Sequence, residues 1–195
     1  TYRPKNNQII MFYHGLEKFG TQSTRVAISS DGINFKNTSN IVGRPYFRQF
    51  KYKDIFYGMA MPGFIYKYTG DIDEYTEIKR LFPNKIRHSA VFLIEDTLYV
   101  FYSLVEDTPE KIYVSTIELN TNVEDWKESP PIEVIRPSLD WEGSKLPLQH
   151  SSRSSINIPV NQLRDPYIFQ DDEDLYLLYT VKGESGIGIC SIEIS

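Results

Sequence analysis

Arg44, Arg87 and Arg164 each open a segment of the same design, and that spacing is the first sign of chemistry in the sequence. The segments run from Arg44 to Ala60, from Arg87 to Ser103 and from Arg164 to Thr180, and they align without a gap. A repeat architecture brings equivalent positions to one place, so the three guanidinium groups are expected to converge on one pocket. They cannot sit together unpaired: either acidic side chains neutralise them or an anionic ligand does. Asp165 follows Arg164 directly, Glu184 lies in the turn Gly183-Glu184-Ser185-Gly186, and Glu142 lies in a long polar stretch. Carboxylates held near arginines and partly desolvated acquire the perturbed pKa values that general acid and base chemistry requires. Asp165, Glu184 and Glu142 are therefore the candidate catalytic residues, and Arg44, Arg87, Arg164 and His88 the candidate substrate contacts. Trp141, outside the repeated segments, offers a ring that can stack on a sugar. Plainer readings stand beside these: structural ion pairs for the arginines, an Asp-Pro turn for Asp165, a solvated glutamate in a glycine turn for Glu184. His88 is open between a ligand contact, a channel metal ligand and a hydrogen-bonded structural histidine.

The elements that must carry these residues are hairpins. Each segment passes from its Arg through an apolar run to a polar turn, at Lys51 to Asp54, Ile94 to Thr97 and Asp171 to Asp174, and then into an aromatic strand. The strand cores are Ile55-Phe56-Tyr57, Leu98-Tyr99-Val100 and Leu175-Tyr176-Leu177, and a further strand follows in each case. In the second strands both parities are apolar, so both faces are expected to be covered by other sheets. The acidic run Asp171 to Asp174 has the wrong spacing for a calcium loop and reads as the solvated turn of its hairpin. Arg44 and Arg87 are 43 residues apart, whereas Arg87 and Arg164 are 77 apart, which places a long loop between the last two units.

Units of about 40–50 residues with about four antiparallel strands are the pattern of β-propeller blades. The expected fold is all-β: one propeller domain over 1–195, with a partial first blade at 1–42, complete four-stranded blades at 43–85, 86–135 and 160–195, and a loop insertion at 136–160. In the first blade Ile9-Ile10-Met11-Phe12-Tyr13 aligns with a second strand, Asp31-Gly32 marks a later turn, and the opening position falls before residue 1. Composition agrees with a packed core: of 195 residues 41% are hydrophobic and 14% aromatic. A net charge of -5 argues against a nucleic-acid partner. The longest nearly apolar run, Ile55 to Tyr66, is interrupted by Pro62-Gly63 and is too short to span a bilayer, so a soluble chain without a membrane partner is expected. Cys190 is the only cysteine, which excludes an internal disulfide and a cysteine-based zinc site and leaves the compartment open. No cofactor and no metal are indicated, and a calcium ion in the channel is the one metal left open.

Arg164-Asp165-Pro166-Tyr167-Ile168-Phe169 followed by Leu175-Tyr176-Leu177-Leu178-Tyr179 resembles a motif of the five-bladed β-propeller glycosidases, the arabinosidase/xylosidase group (family 43) and the invertase/levanase group (family 32). The Ala27-Ile28-Ser29-Ser30-Asp31-Gly32 turn is also similar to theirs. The resemblance implies a glycoside hydrolase acting on an oligosaccharide. It gives Asp165 the role of binding sugar hydroxyls and stabilising the transition state or tuning the acid. It also implies a base or nucleophile Asp from the first blade, upstream of residue 1, and a Glu acid from a blade after the Arg-Asp-Pro one, an order from which Glu184 departs. Leu81-Phe82-Pro83-Asn84-Lys85-Ile86 resembles a segment of the family-130 mannoside phosphorylases, which implies phosphorolysis as the alternative, with arginines holding phosphate or an anionic sugar. A sugar-binding propeller without turnover is the non-enzymatic reading.

Overall fold

The computed structural model describes residues 2–3 and 8–194. It is built almost wholly of antiparallel strands and divides into two compact units, Thr1–Leu81 and Phe82–Ser195. No helix among the described residues is long and apolar enough to cross a membrane.

The first unit holds two four-stranded sheets. One runs β1 (Tyr2–Arg3), β2 (Gln8–Lys18), β3 (Thr21–Ser29) and β4 (Lys36–Gly43); the other runs β5 (Arg48–Tyr52), β6 (Ile55–Ala60), β7 (Phe64–Tyr68) and β8 (Tyr75–Arg80), each in chain order. Ile10, Val26 and Val42 from the first sheet meet Phe47, Ala60 and Tyr66 in one apolar core. Ile10, Val26, Val42 and Phe47 each contribute about 1.5–3 kcal/mol by leaving water. The approach is close enough to dictate a residue type: a Cβ on Gly58 would fall 1.9 Å from the Phe47 ring.

The second unit holds the sheet β9 (Ile86–Ile94), β10 (Thr97–Leu104), β11 (Ile112–Glu118) and β12 (Ile132–Ile135), and the sheet β13 (Arg164–Asp171), β14 (Asp174–Val181) and β15 (Gly186–Ile192). Ala90, Phe101 and Ile112 pack against Leu163, Leu177, Tyr179 and Val181. The hairpins fall where the polar turns predict them, closing through Ile94↔Thr97 and Asp171↔Asp174. Turn residues Glu95 and Asp172 take positive φ, as tight β-hairpins demand.

Three expectations are corrected. The sheet over residues 2–43 has four strands rather than a partial set, because a two-residue strand carries no period that a sequence pattern can show. The sheet over 164–192 has three strands among the described residues rather than four. Coverage on both faces holds for β10, where Leu98, Val100, Phe101 and Tyr102 are all buried, but fails for β14. There Leu177, Tyr179 and Val181 are buried, whereas the opposite face carries exposed Tyr167, Phe169, Ile187 and Ile189.

Candidate active site

Two of the three arginines meet, and the residue that joins them is one the repeat pattern does not mark. Arg87 on β9 and Arg164 on β13 are 3% and 0% exposed, and both reach the fully buried carboxylate of Glu110, just before β11. Arg164 Nε lies 2.9 Å from Glu110 Oε2 and Arg87 Nε 3.4 Å from Oε1. The hydroxyls of Ser103 and Ser151 also donate to Glu110. Burial pushes the Glu110 carboxyl up, against the opposing pull of the Arg87 and Arg164 guanidiniums and of the two hydroxyls. Arg164 donates further to Glu184 Oε1 at 2.9 Å, to Gln162 Oε1 at 2.6 and 3.1 Å, and to the Ser154 carbonyl at 3.2 Å. Arg87 donates to the Ser152 carbonyl. The loop between β12 and β13 is thereby strapped down over the buried charges.

Glu184 is held by its turn. Lys182 and Gly183 both take positive φ between β14 and β15, and a Cβ on Gly183 would meet Ile156 Cγ2 at 2.5 Å. Glycine is required there, and the Glu184 carboxylate, 30% exposed, is set against Arg164.

Asp165 sits next to this network but faces elsewhere. A register shift lies between Arg164 and Tyr167, and Asp165 takes φ 50° directly before Pro166, a costly conformation for a non-glycine residue in that position. This turns its carboxylate onto His88: Oδ1 contacts His88 Nδ1, and the Thr180 hydroxyl lies 3.4 Å from Oδ2. The His88 side chain is 12% exposed and that of Asp165 29%. Successive strand residues point to opposite faces, so the inward turn of Arg87 fixes the other direction for His88.

Glu142 and Trp141 lie in a short 3-10 turn, Asp140–Glu142, within the long loop. Glu142 is 1% exposed and accepts from the Ser138 amide at 2.8 Å, the Leu139 amide at 2.9 Å and the Tyr179 hydroxyl at 2.9 Å. Burial alone would push its carboxyl up, but these donors together hold it below the usual carboxylate range. Oε2 is committed to the loop's own Ser138 and Leu139 amides, and Oε1 fastens the loop to β14 through Tyr179. Trp141, 47% exposed, lies over Gly188, where a Cβ would come within 3.1 Å of its ring.

Arg44 has partners of its own in the first unit. Its guanidinium stacks 3.8 Å over the Phe64 ring and lies 3.5 Å from Glu77. Tyr66, whose hydroxyl burial pushes up to about 12, donates to Glu77 and accepts the Arg44 amide. The gap-free alignment that equates Arg44 with Arg87 and Arg164 does not survive the register. The β5–β6 hairpin closes through Tyr52↔Ile55, one residue later than Ile94↔Thr97 and Asp171↔Asp174 predict. Both residues of its loop, Lys53 and Asp54, take positive φ, and β5 begins only at Arg48, so Arg44 precedes its strand instead of opening it. Among the described residues no group of three or more His, Cys, Asp or Glu side chains could hold a metal ion.

Comparison with known proteins places this geometry in a fold. No family model matches the chain. The uncharacterized protein R118 of Acanthamoeba polyphaga mimivirus is 34% identical over 203 residues, a match that takes in 93% of this chain and 56% of that protein. The chain thus spans little more than half the length of the curated relative it matches. A thermostable family-43 glycoside hydrolase superposes with a TM-score of 0.67 at 15% identity, over 97% of this chain and 69% of the other. A Cellvibrio cellulosa α-L-arabinanase, solved with arabinohexaose, gives a TM-score of 0.64 at 11% identity, over 100% and 72%. An α-L-arabinofuranosidase from Lactobacillus brevis gives 0.62 at 11%, over 96% and 69%. The chain has the fold of the family-43 glycoside hydrolases.

Proposed function

We propose that this chain belongs to a carbohydrate-active enzyme that hydrolyses a glycosidic bond, with Asp165 as the carboxylate that engages the sugar. The observation that carries this reading is the setting of Asp165. In a fold shared with glycoside hydrolases, it is held in a strained, bulged conformation, remains partly accessible, and stands beside a buried charge network that fixes its strand. Strain of this kind persists where the surrounding structure over-determines it, which is the condition of a pre-organised site. Asp165 accepts hydrogen bonds from sugar hydroxyls and stabilises the positive charge that develops at the anomeric carbon. Glu184, the second accessible carboxylate, is ion-paired with Arg164 and is the second candidate sugar contact. Glu142, with both oxygens bonded inside the protein, serves the scaffold.

Hydrolysis is favoured over phosphorolysis because Arg87 and Arg164 are buried, 3% and 0% exposed, and face Glu110, Glu184, Gln162 and loop carbonyls. They support the site and are not offered to a phosphate. The substrate expected is an oligosaccharide, and Trp141 is its candidate stacking surface. The test is Asp165→Asn assayed on arabino- and xylo-oligosaccharides and aryl glycosides. Turnover should fall on the order of 10²–10³-fold, the cost of removing one electrostatic stabiliser, with the melting temperature nearly unchanged. Unaltered turnover, or an unfolded variant, makes Asp165 a structural residue.

A further inference from the structure

Two strands of the second unit each carry adjacent residues with divided allegiance. On β9, Arg87 turns to Glu110 while His88 turns to Asp165; on β13, Arg164 turns to Glu110 and Glu184 while Asp165 turns to His88. The alternation of β9 and the bulge of β13 therefore bring an imidazole and a carboxylate into direct contact above a buried, charge-balanced floor. Besides Asp165, the charged groups on the elements that carry this contact are Arg87 on β9, Arg164 on β13, Glu110 just before β11, Glu184 in the β14–β15 turn, and Arg153 in the loop beside Arg87. Arg87 and Arg164 are matched by Glu110 and Glu184, and Arg153 is open to solvent, where its field is screened. Asp165 is the charge that acts on His88 at contact.

We propose that His88 and Asp165 form one proton-sharing unit in which His88 is a positioning residue. The His88 Nδ1–H donates to Asp165 Oδ1, keeps the carboxyl ionised, and leaves Oδ2, which has the Thr180 hydroxyl at 3.4 Å, as the acceptor for a substrate hydroxyl. Asp165 then serves as an acceptor throughout, and proton donation falls to another carboxyl. Pairs of titratable groups whose surroundings push their proton affinities apart divide acid and base roles in this way. This role rests on the function proposed above, so its test must read the contact without needing turnover.

The experiment is a side-chain ¹⁵N NMR titration of the full chain, which has three histidines, His14, His88 and His150, with the His88 signals assigned through His88→Gln. An adjacent carboxylate raises a histidine midpoint by about 1–3 pH units. The His88 midpoint is therefore expected to drop by about that amount in Asp165→Asn, and by less than half as much in Glu184→Gln. An unchanged midpoint in Asp165→Asn, or an equal drop in Glu184→Gln, overturns the unit. If Asp165→Asn does not fold, the wild-type protein decides: a His88 midpoint above that of exposed His150 supports the pairing, and one at or below it refutes it. A chain that turns over no glycoside but shows the Asp165-dependent shift would remove the proposed function and keep the pair. An active chain without the shift would do the reverse. On any substrate that is turned over, His88→Gln should move the acidic limb of the kcat/KM profile, and a profile identical to wild type counts against the assignment.

Discussion

Replacing Glu142 by Gln separates a buried anchor from a catalytic acid. The carboxylate is 1% exposed and takes charge-assisted hydrogen bonds from the Ser138 and Leu139 amides and the Tyr179 hydroxyl. Bonds to a charged partner are worth about 1 kcal/mol more than neutral ones. Glutamine keeps the shape, loses the charge, and presents an NH₂ group to one set of donors, so three such bonds weaken at once. The loss at pH 7 is expected to be about 2–3 kcal/mol, or roughly 4–12 °C in a domain of this size. The sign with pH follows from the direction of the shift: the folded-state carboxyl lies below its unfolded value. Its stabilisation is fully present above the unfolded pKa of about 4.3 and fades as pH falls through the lower folded value. Both tryptophans, Trp126 and Trp141, lie in Phe82–Ser195, so urea unfolding followed by their fluorescence reports that unit. Wild type and Glu142→Gln should differ at pH 7 and converge as the solution is acidified below pH 4. No difference at pH 7, or a difference that persists undiminished in acid, refutes the reasoning.

Glu110→Ala strands two buried guanidiniums and is expected to cost about 3–5 kcal/mol in the same urea assay, with Arg87→Met restoring part of the loss in the double variant; additive costs would break the claim of a shared network. Gly58→Ala drives a methyl into the Phe47 ring, and about 1–3 kcal/mol of overpacking should speed amide exchange along β5 and β6, which unchanged exchange would disprove. Gly188→Ala presses on Tyr179 and Trp141, so tryptophan emission should shift, and an unaltered spectrum would place the Trp141 ring elsewhere.

The hairpins are legible because an apolar run, a polar turn and an aromatic strand recur in every unit, with Asp171 to Asp174 and Ile94 to Thr97 as the turns. The three-residue and longer apolar cores therefore marked strands correctly, while β1, at two residues, left no trace. Equating Arg44 with the other arginines fails because its hairpin closes one residue later relative to the arginine, a shift that sequence similarity cannot weigh but a hydrogen-bond register must obey. Glu110 was invisible for a different reason. It stands alone before a strand, and only the need of Arg87 and Arg164 for a buried anion announces it, a need that Asp165, Glu184 and Glu142 fit equally well in the sequence. The two residues that pair across strands, His88 and Asp165, are each candidates in the sequence, yet their contact depends on a bulge that the sequence does not display.

The most direct test of the account is turnover itself. The full chain, with and without inorganic phosphate, is to be incubated with arabino-oligosaccharides, xylo-oligosaccharides and aryl glycosides beside its Asp165→Asn variant. The account predicts phosphate-independent release of sugar by the wild-type chain and its near loss in a folded variant. Absence of release on every glycoside, release that requires phosphate, or equal rates in the two proteins would contradict it.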